Sequence, residues 1–81
     1  MTTKVRLPKP GMGTTEGTIV KWLKVEGDAV AEGQALVEVE FAKAIEEVPA
    51  PANGVLKKIL LPEGETAEVY TEIGIIEEQA Q

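Results

Sequence analysis

The chain has 81 residues, with eight Lys and Arg against fourteen Asp and Glu, for a net charge of −6. It contains no Cys, His or Ser, which excludes cysteine nucleophiles, serine triads, Cys/His metal cages and any carrier arm attached through serine. A chain this short buries only about 60% of its unfolded surface, which leaves little room for a deep catalytic cavity.

The elements follow in chain order. Lys4 to Leu7 predicts a first strand, stopped by Pro8 and Pro10. Gly11-Met12-Gly13 lacks the strand-and-helix context of a nucleotide loop and reads as a glycine-rich surface loop. Gly17 to Lys24 predicts a second strand, with Ile19 and Leu23 among its apolar positions, and Trp22 reads as a core or half-buried residue. Glu26-Gly27-Asp28 and Ala31-Glu32-Gly33-Gln34 predict turns. Val37, Val39 and Phe41 then alternate with Glu38, Glu40 and Ala42, the pattern of a half-buried strand with one acidic face. Beyond Lys43 the chain runs to Pro49-Ala50-Pro51, which cannot continue a central strand. Asn53-Gly54 predicts a tight turn, because both residues tolerate positive φ. Val55 to Leu61 predicts a strand, Glu63-Gly64-Glu65 a turn, and Thr71 to Glu77 the last strand. Glu78 to Gln81 reads as the start of a linker or tail, which leaves residues 1–77 as one domain. Glu46-Glu47 and Glu77-Glu78 read as solvated carboxylates, since adjacent strand residues point to opposite faces. Short strands at regular spacing predict an all-β sandwich or flattened barrel.

The chain also repeats itself. An offset of 37 positions lays Lys24-Val25-Glu26-Gly27-Asp28 over Leu61-Pro62-Glu63-Gly64-Glu65, and Leu36 to Glu40 over Ile73 to Glu77. It also lays Gly17 to Leu23 over Gly54 to Leu60. Two copies in so short a chain imply two halves sharing one core. Phe41 to Val48 falls outside the matched segments, and Lys43 lies within it, in a predicted tight reversal. A lysine in a turn is ordinarily just solvated, but the repeat singles this one out.

Lys and Arg do not cluster, which argues against nucleic acid as a partner. No apolar run nears membrane-spanning length. The acidic surface favours basic protein partners, whose approach it would steer. The isolated domain is expected to be a monomer. Without cysteine or a signal peptide, the expected location is the bacterial cytoplasm, or the mitochondrial matrix if the chain is a fragment.

Val25 to Val30, Leu36 to Glu40, Lys43-Ala44, Glu47 to Pro51 and Gly54-Val55-Leu56 together resemble a lipoyl domain. Such domains belong to the acyltransferase component of 2-oxo acid or acetoin dehydrogenase complexes. The resemblance covers Val5 to Glu77 and implies a barrel-sandwich hybrid of two quasi-symmetric antiparallel sheets with the lysine at a hairpin tip. It implies that Lys43 carries lipoic acid in amide linkage. It further implies that Glu40 helps a lipoate ligase or lipoyl transferase recognise the turn, and that Gly27 and Gly54 shape neighbouring turns. The loop Gly11 to Glu16 (Gly11, Met12, Gly13, Thr14, Thr15, Glu16) is implied to contribute to partner recognition beside Phe41, Ala42 and Ala44. The implied partners are a thiamine-dependent decarboxylase, an acyltransferase catalytic domain and dihydrolipoyl dehydrogenase. The isolated domain is expected to be no enzyme.

Two positions depart from the family's usual Glu-Thr-Asp-Lys-Ala, which here reads Glu40-Phe41-Ala42-Lys43-Ala44. Ala42 cannot hydrogen-bond the turn as an aspartate would, and Phe41 is either core or an apolar face beside the arm. An exposed lysine near Glu40, Glu46 and Glu47 stays charged near neutrality, so the modifying enzyme must deprotonate it. Acylation would take the net charge from −6 to −7, one positive charge being lost. A biotin carrier shares the fold but normally sets its lysine between methionines, where this chain has Ala42 and Ala44. A glycine-cleavage carrier is longer, and an unmodified interaction module of the same fold is the remaining alternative.

Overall fold

The computed structural model describes residues 2–9, 14–42 and 44–78. Its strands are β1 (Thr2–Arg6), β2 (Glu16–Trp22), β3 (Ala29–Val30), β4 (Ala35–Phe41), β5 (Ala44–Pro49), β6 (Gly54–Ile59), β7 (Thr66–Glu68) and β8 (Glu72–Glu77). They build two four-stranded sheets, ordered β1-β8-β6-β3 and β5-β4-β2-β7, and every strand pair is antiparallel. The all-β, two-sheet architecture expected from the sequence is therefore the one found. The two short strands, β3 and β7, carry no alternating pattern long enough to be read from sequence.

The repeat becomes a pseudo-two-fold in which the sheets exchange places. An offset of 37 carries β2, β3 and β4 onto β6, β7 and β8, so the sheet β4-β2-β7 matches β8-β6-β3. Hydrogen bonds follow the same operation. Gly27 N–H donates to Leu56 O at 2.7 Å, and Gly64 N–H donates to Ile19 O at 2.8 Å. Ile59 N–H donates to Glu26 Oε2 at 2.8 Å, and Trp22 N–H donates to Glu63 Oε2 at 3.0 Å. Each half thus satisfies backbone donors of the other, groups that would be costly to bury unpaired. The halves interlock, and neither is a unit by itself.

Bulges explain where simple alternation misplaces side chains. Ile19 faces Val39 and Lys21 faces Glu38, leaving Val20 as an extra residue in β2. One extra residue moves every later side chain to the other face. Trp22 therefore turns inward, where its indole N–H donates to Leu61 O at 2.9 Å, and Leu23 is left 36% exposed. The same irregularity recurs between Leu56 and Lys58. Bulges at Leu36 and Ile73 likewise let Leu36-Val37 and Ile73-Gly74 bury two residues in succession. The core is filled from both sheets by Val5, Leu7, Ile19, Leu36, Val39, Phe41, Leu56, Ile73 and Ile76, among others.

Four of the described turns each place a residue of positive φ at the third position. Asp28 N–H donates to Val25 O around Gly27 (φ 98°), and Glu65 N–H donates to Pro62 O around Gly64 (φ 89°). Gln34 N–H donates to Ala31 O around Gly33 (φ 87°). Its symmetry mate is closed by Thr71 N–H on Glu68 O, and the residue there is Tyr70 (φ 69°). Glycine takes this conformation freely, whereas an L side chain is penalised by about 1–2 kcal/mol.

The predicted Asn53-Gly54 turn is corrected. Neither residue has positive φ, and Gly54 is the first residue of β6, paired with Val30. Asn53 instead accepts the Glu32 N–H on its side-chain oxygen at 2.8 Å. Gly54 is required by proximity, since a Cβ there would lie 2.3 Å from Glu77 O. Pro49 ends β5, which is an edge strand where a missing N–H is tolerated. Among the described residues no helix is long and apolar enough to cross a membrane.

Candidate functional site

The β4–β5 hairpin closes very tightly. Glu40 pairs with Ile45 and Phe41 with Ala44, so the strands are joined by only two residues, Ala42 and Lys43. Lys43 lies outside the described residues, as do Gly11, Met12 and Gly13. Glu40, Ala42 and Ala44 are exposed on either side of the turn. At the pseudo-equivalent end of the barrel, Thr2 pairs with Glu77 of β8. Among the described residues the β4–β5 hairpin closes its end of the repeat, and its connection contains the lysine.

Register brings Thr15 and Glu16, of the other predicted site residues, to this end. Thr18 faces Glu40 in β4 and Thr66 in β7, and Glu16 faces Glu68. The start of β2, the end of β7 and the end of β4 thus share one end of a sheet. Thr15 is tied there by its carbonyl, which accepts the Val69 N–H at 2.9 Å. A shallow groove of about 320 Å³ runs beside the turn, lined by Glu16, Gly17, Thr18, Glu40, Phe41, Ala42 and Thr66. The Thr18 and Thr66 hydroxyls bond each other across it at 2.7 Å.

Phe41 is 4% exposed, so of its two readings the core one describes where its ring sits. The ring fills the space over Gly17, where a Cβ would lie 2.8 Å from both Phe41 Cε1 and Val39 Cγ1. Gly17 is a residue that sequence reasoning missed at this site. The repeat held the signal, since Gly17 is the mate of Gly54. Gly54 itself is not at the tip, because it packs on Glu77 and Ile76 in the other sheet. Gly27 shapes its turn as expected and is likewise remote in the chain's architecture, bonding β6.

Charge divides unequally between the sheets. The sheet with the hairpin carries Glu16, Glu38, Glu40, Glu46, Glu47 and Glu68 on its strands against Lys21 alone. The other carries Lys4, Arg6, Lys57 and Lys58 against Glu72 and Glu77. Its pairs are Arg6–Glu72 at 3.1 Å, Lys4–Glu72 at 3.6 Å and Lys57–Glu77 at 3.0 Å. The Lys57 ammonium lowers the Glu77 pKa, by its hydrogen bond first and its charge second. A lowered carboxylate pKa favours the fold above the ordinary value and loses that contribution as pH falls through the lowered one. Lys57→Gln is expected to move the Glu77 titration midpoint upward toward the usual carboxylate range, read by side-chain carboxyl NMR. An unmoved midpoint would reassign the shift to other neighbours.

The family model described as "Biotin-requiring enzyme" matches residues 3–76. The chain is 46% identical over 77 residues to a dihydrolipoyllysine-residue succinyltransferase component of the 2-oxoglutarate dehydrogenase complex from Bartonella vinsonii subsp. berkhoffii, covering 95% of this chain and 19% of that protein. It is 47% identical over 64 residues to a dihydrolipoyllysine-residue acetyltransferase component of the pyruvate dehydrogenase complex from Zymomonas mobilis, covering 79% of this chain and 14% of that one. The chain thus spans about a fifth or less of such relatives. Its backbone matches the solution structure of the lipoyl domain of the 2-oxoglutarate dehydrogenase complex from Azotobacter vinelandii. The TM-score is 0.73 at 29% identity, over 94% of this chain and 99% of that one.

Proposed function

We propose a function from one premise: the chain belongs to the biotin- and lipoyl-attachment domain family, and within it to the lipoyl domains of 2-oxo acid dehydrogenase acyltransferases. The proposal is that it serves as a swinging-arm carrier, lipoylated on Lys43, which shuttles acyl groups and electrons between the decarboxylase, acyltransferase and dihydrolipoyl dehydrogenase of such a complex. The observation that carries this reading is the two-residue connection of β4 and β5, one of whose residues is Lys43. The neighbouring side chains fit an amide-linked arm, since Ala42 and Ala44 are small and exposed.

Lipoic acid, bound there, would supply the disulfide chemistry that takes up an acyl group and two electrons. The chain's contribution is placement. A core contributed by both sheets holds β4 and β5 at fixed register on either side of that connection. Glu40 and the other carboxylates of this sheet leave it strongly negative, a field that steers a basic partner surface toward the hairpin. A lipoate ligase or lipoyl transferase would use Glu40 beside the turn to find its lysine. In a bacterial relative's setting the carrier works in the cytoplasm.

The test is intact mass after parallel incubation with lipoate ligase plus lipoate and with biotin ligase plus biotin. Addition of one lipoyl group is expected, with none in Lys43→Arg, whose fold is checked by its amide NMR spectrum. Biotin addition would install the biotin-carrier reading instead. No addition by either enzyme would leave an unmodified interaction module.

A further inference from the structure

Tyr70 is the one described non-glycine residue with positive φ. The pseudo-symmetry supplies an internal control for it. Gly33 and Tyr70 occupy equivalent third positions of equivalent turns. Gly33 N–H donates to Ala50 O at 2.9 Å, and Tyr70 N–H donates to Leu7 O at 2.8 Å. One turn uses the residue that the conformation prefers. The other places a large aromatic in a conformation that L side chains resist.

Packing does not account for the exception. Trp22 and Phe41 are 8% and 4% exposed, whereas Tyr70, the third aromatic of the chain, is 59% exposed. The turn is nonetheless held firmly. Besides the Leu7 bond, the Tyr70 carbonyl accepts from Arg6 Nη1 at 3.3 Å, and Arg6 is fixed in turn by Glu72. A strained, rigidly held and exposed residue is a reason to look for function.

Its location supplies the function to look for. Glu68 faces Glu16 at the end of the sheet that contains Ala42, and Tyr70 follows Glu68 by two residues. Two strand spacings, about 10 Å, separate β7 from β4. A partner touching only the hairpin turn would miss Tyr70, whereas one closing over the whole end of the sheet would cover it. We propose that Tyr70 is an aromatic anchor for the partner that accepts the hairpin end into its active-site mouth, the acyl-donating decarboxylase. The ring would enter an apolar pocket rimmed by basic side chains that face Glu16, Glu68 and Glu40. This inference rests on the carrier reading above.

The experiment compares wild type, Tyr70→Gly and Tyr70→Phe, each fully lipoylated. Reductive acylation is measured with whichever of the 2-oxoglutarate and pyruvate decarboxylases acylates wild type. Tyr70→Gly is expected to raise KM by about 10- to 30-fold, as loss of an interface anchor does, with kcat within about twofold. Tyr70→Phe should stay within about threefold of wild type. Amide-shift titration of the unlipoylated domains with the same decarboxylase should show the same loss of affinity. The rate of lipoylation and the urea midpoint of Tyr70→Gly should not fall, because glycine relieves the turn. Equal KM and affinity in Tyr70→Gly and wild type would overturn the anchor alone. Failure of both decarboxylases to acylate lipoylated wild type would overturn the carrier reading and the anchor with it.

Discussion

Gly54→Ala is expected to destabilise the domain by about 3 kcal/mol or more, near the upper end for overpacking, and so to remove much of a small domain's margin. The added methyl would lie 2.3 Å from the Glu77 carbonyl oxygen, 2.9 Å from its carbon and 3.0 Å from Ile76 Cγ2. The nearest atoms are backbone. They cannot swing aside, because β6 is bonded to β8 on one side and β3 on the other. The neighbouring Leu56 N–H is also fixed on Asp28 O at 2.8 Å. Relief therefore requires the sheet to part. Gly27, Gly33 and Gly64 make the contrast, since a Cβ at each would meet nothing within 4 Å. Alanine there costs only the backbone penalty, about 1–2 kcal/mol. Urea unfolding of Gly54→Ala and Gly64→Ala side by side decides the matter. Equal midpoints would show that β6 and β8 separate easily.

The same position shows what the sequence could and could not convey. Asn53-Gly54 is a sound turn dipeptide by local rules, yet Gly54 is demanded by a strand that comes from the far end of the chain. No local pattern encodes that approach. Leu23 and Trp22 are a second instance. Strict alternation after Ile19 points Leu23 inward, and a single extra residue at Val20 reverses the outcome. Bulges belong to the pairing of strands distant in sequence, so local alternation does not show them. The offset of 37, by contrast, is a global property written directly in the residues, and it carried over to strands, bulges and hydrogen bonds alike. It could have revealed more than it did. Applied to Gly54 it singles out Gly17 at the hairpin end, and applied to Gly33 it singles out Tyr70 as the glycine that is missing. The hairpin around Lys43 was legible because turn, acidic strand and repeat all bracket it. Phe41 was ambiguous because a large apolar residue one step from a turn suits a core and a surface equally well.

Phe41→Ala is the other change with a large expected effect, about 3 kcal/mol, in the range for truncating a buried aromatic. The ring lies over Gly17, just past the last β2–β4 pair, Thr18 with Glu40. β5 beyond it is an edge strand with a single buried hydrophobic residue, Val48. The loss should thus fall on the hairpin first, as faster amide exchange from Phe41 to Ile45 before the rest of the barrel opens. The empty volume also makes a specific coupling testable. In the wild type, Gly17→Ala forces a methyl to 2.8 Å from Phe41 Cε1 and from Val39 Cγ1, both side-chain atoms that can yield, so a cost of about 1–2 kcal/mol is expected. With Phe41 already alanine, one of the two obstacles is gone and the methyl fills part of the void. Gly17→Ala should then cost at least about 1 kcal/mol less than it does alone, a coupling of the size seen between touching residues. Additive costs across the four proteins of this cycle would mean that the ring does not rest on Gly17. In that case Phe41 would be free to turn outward beside the hairpin, and the groove there would have a different floor.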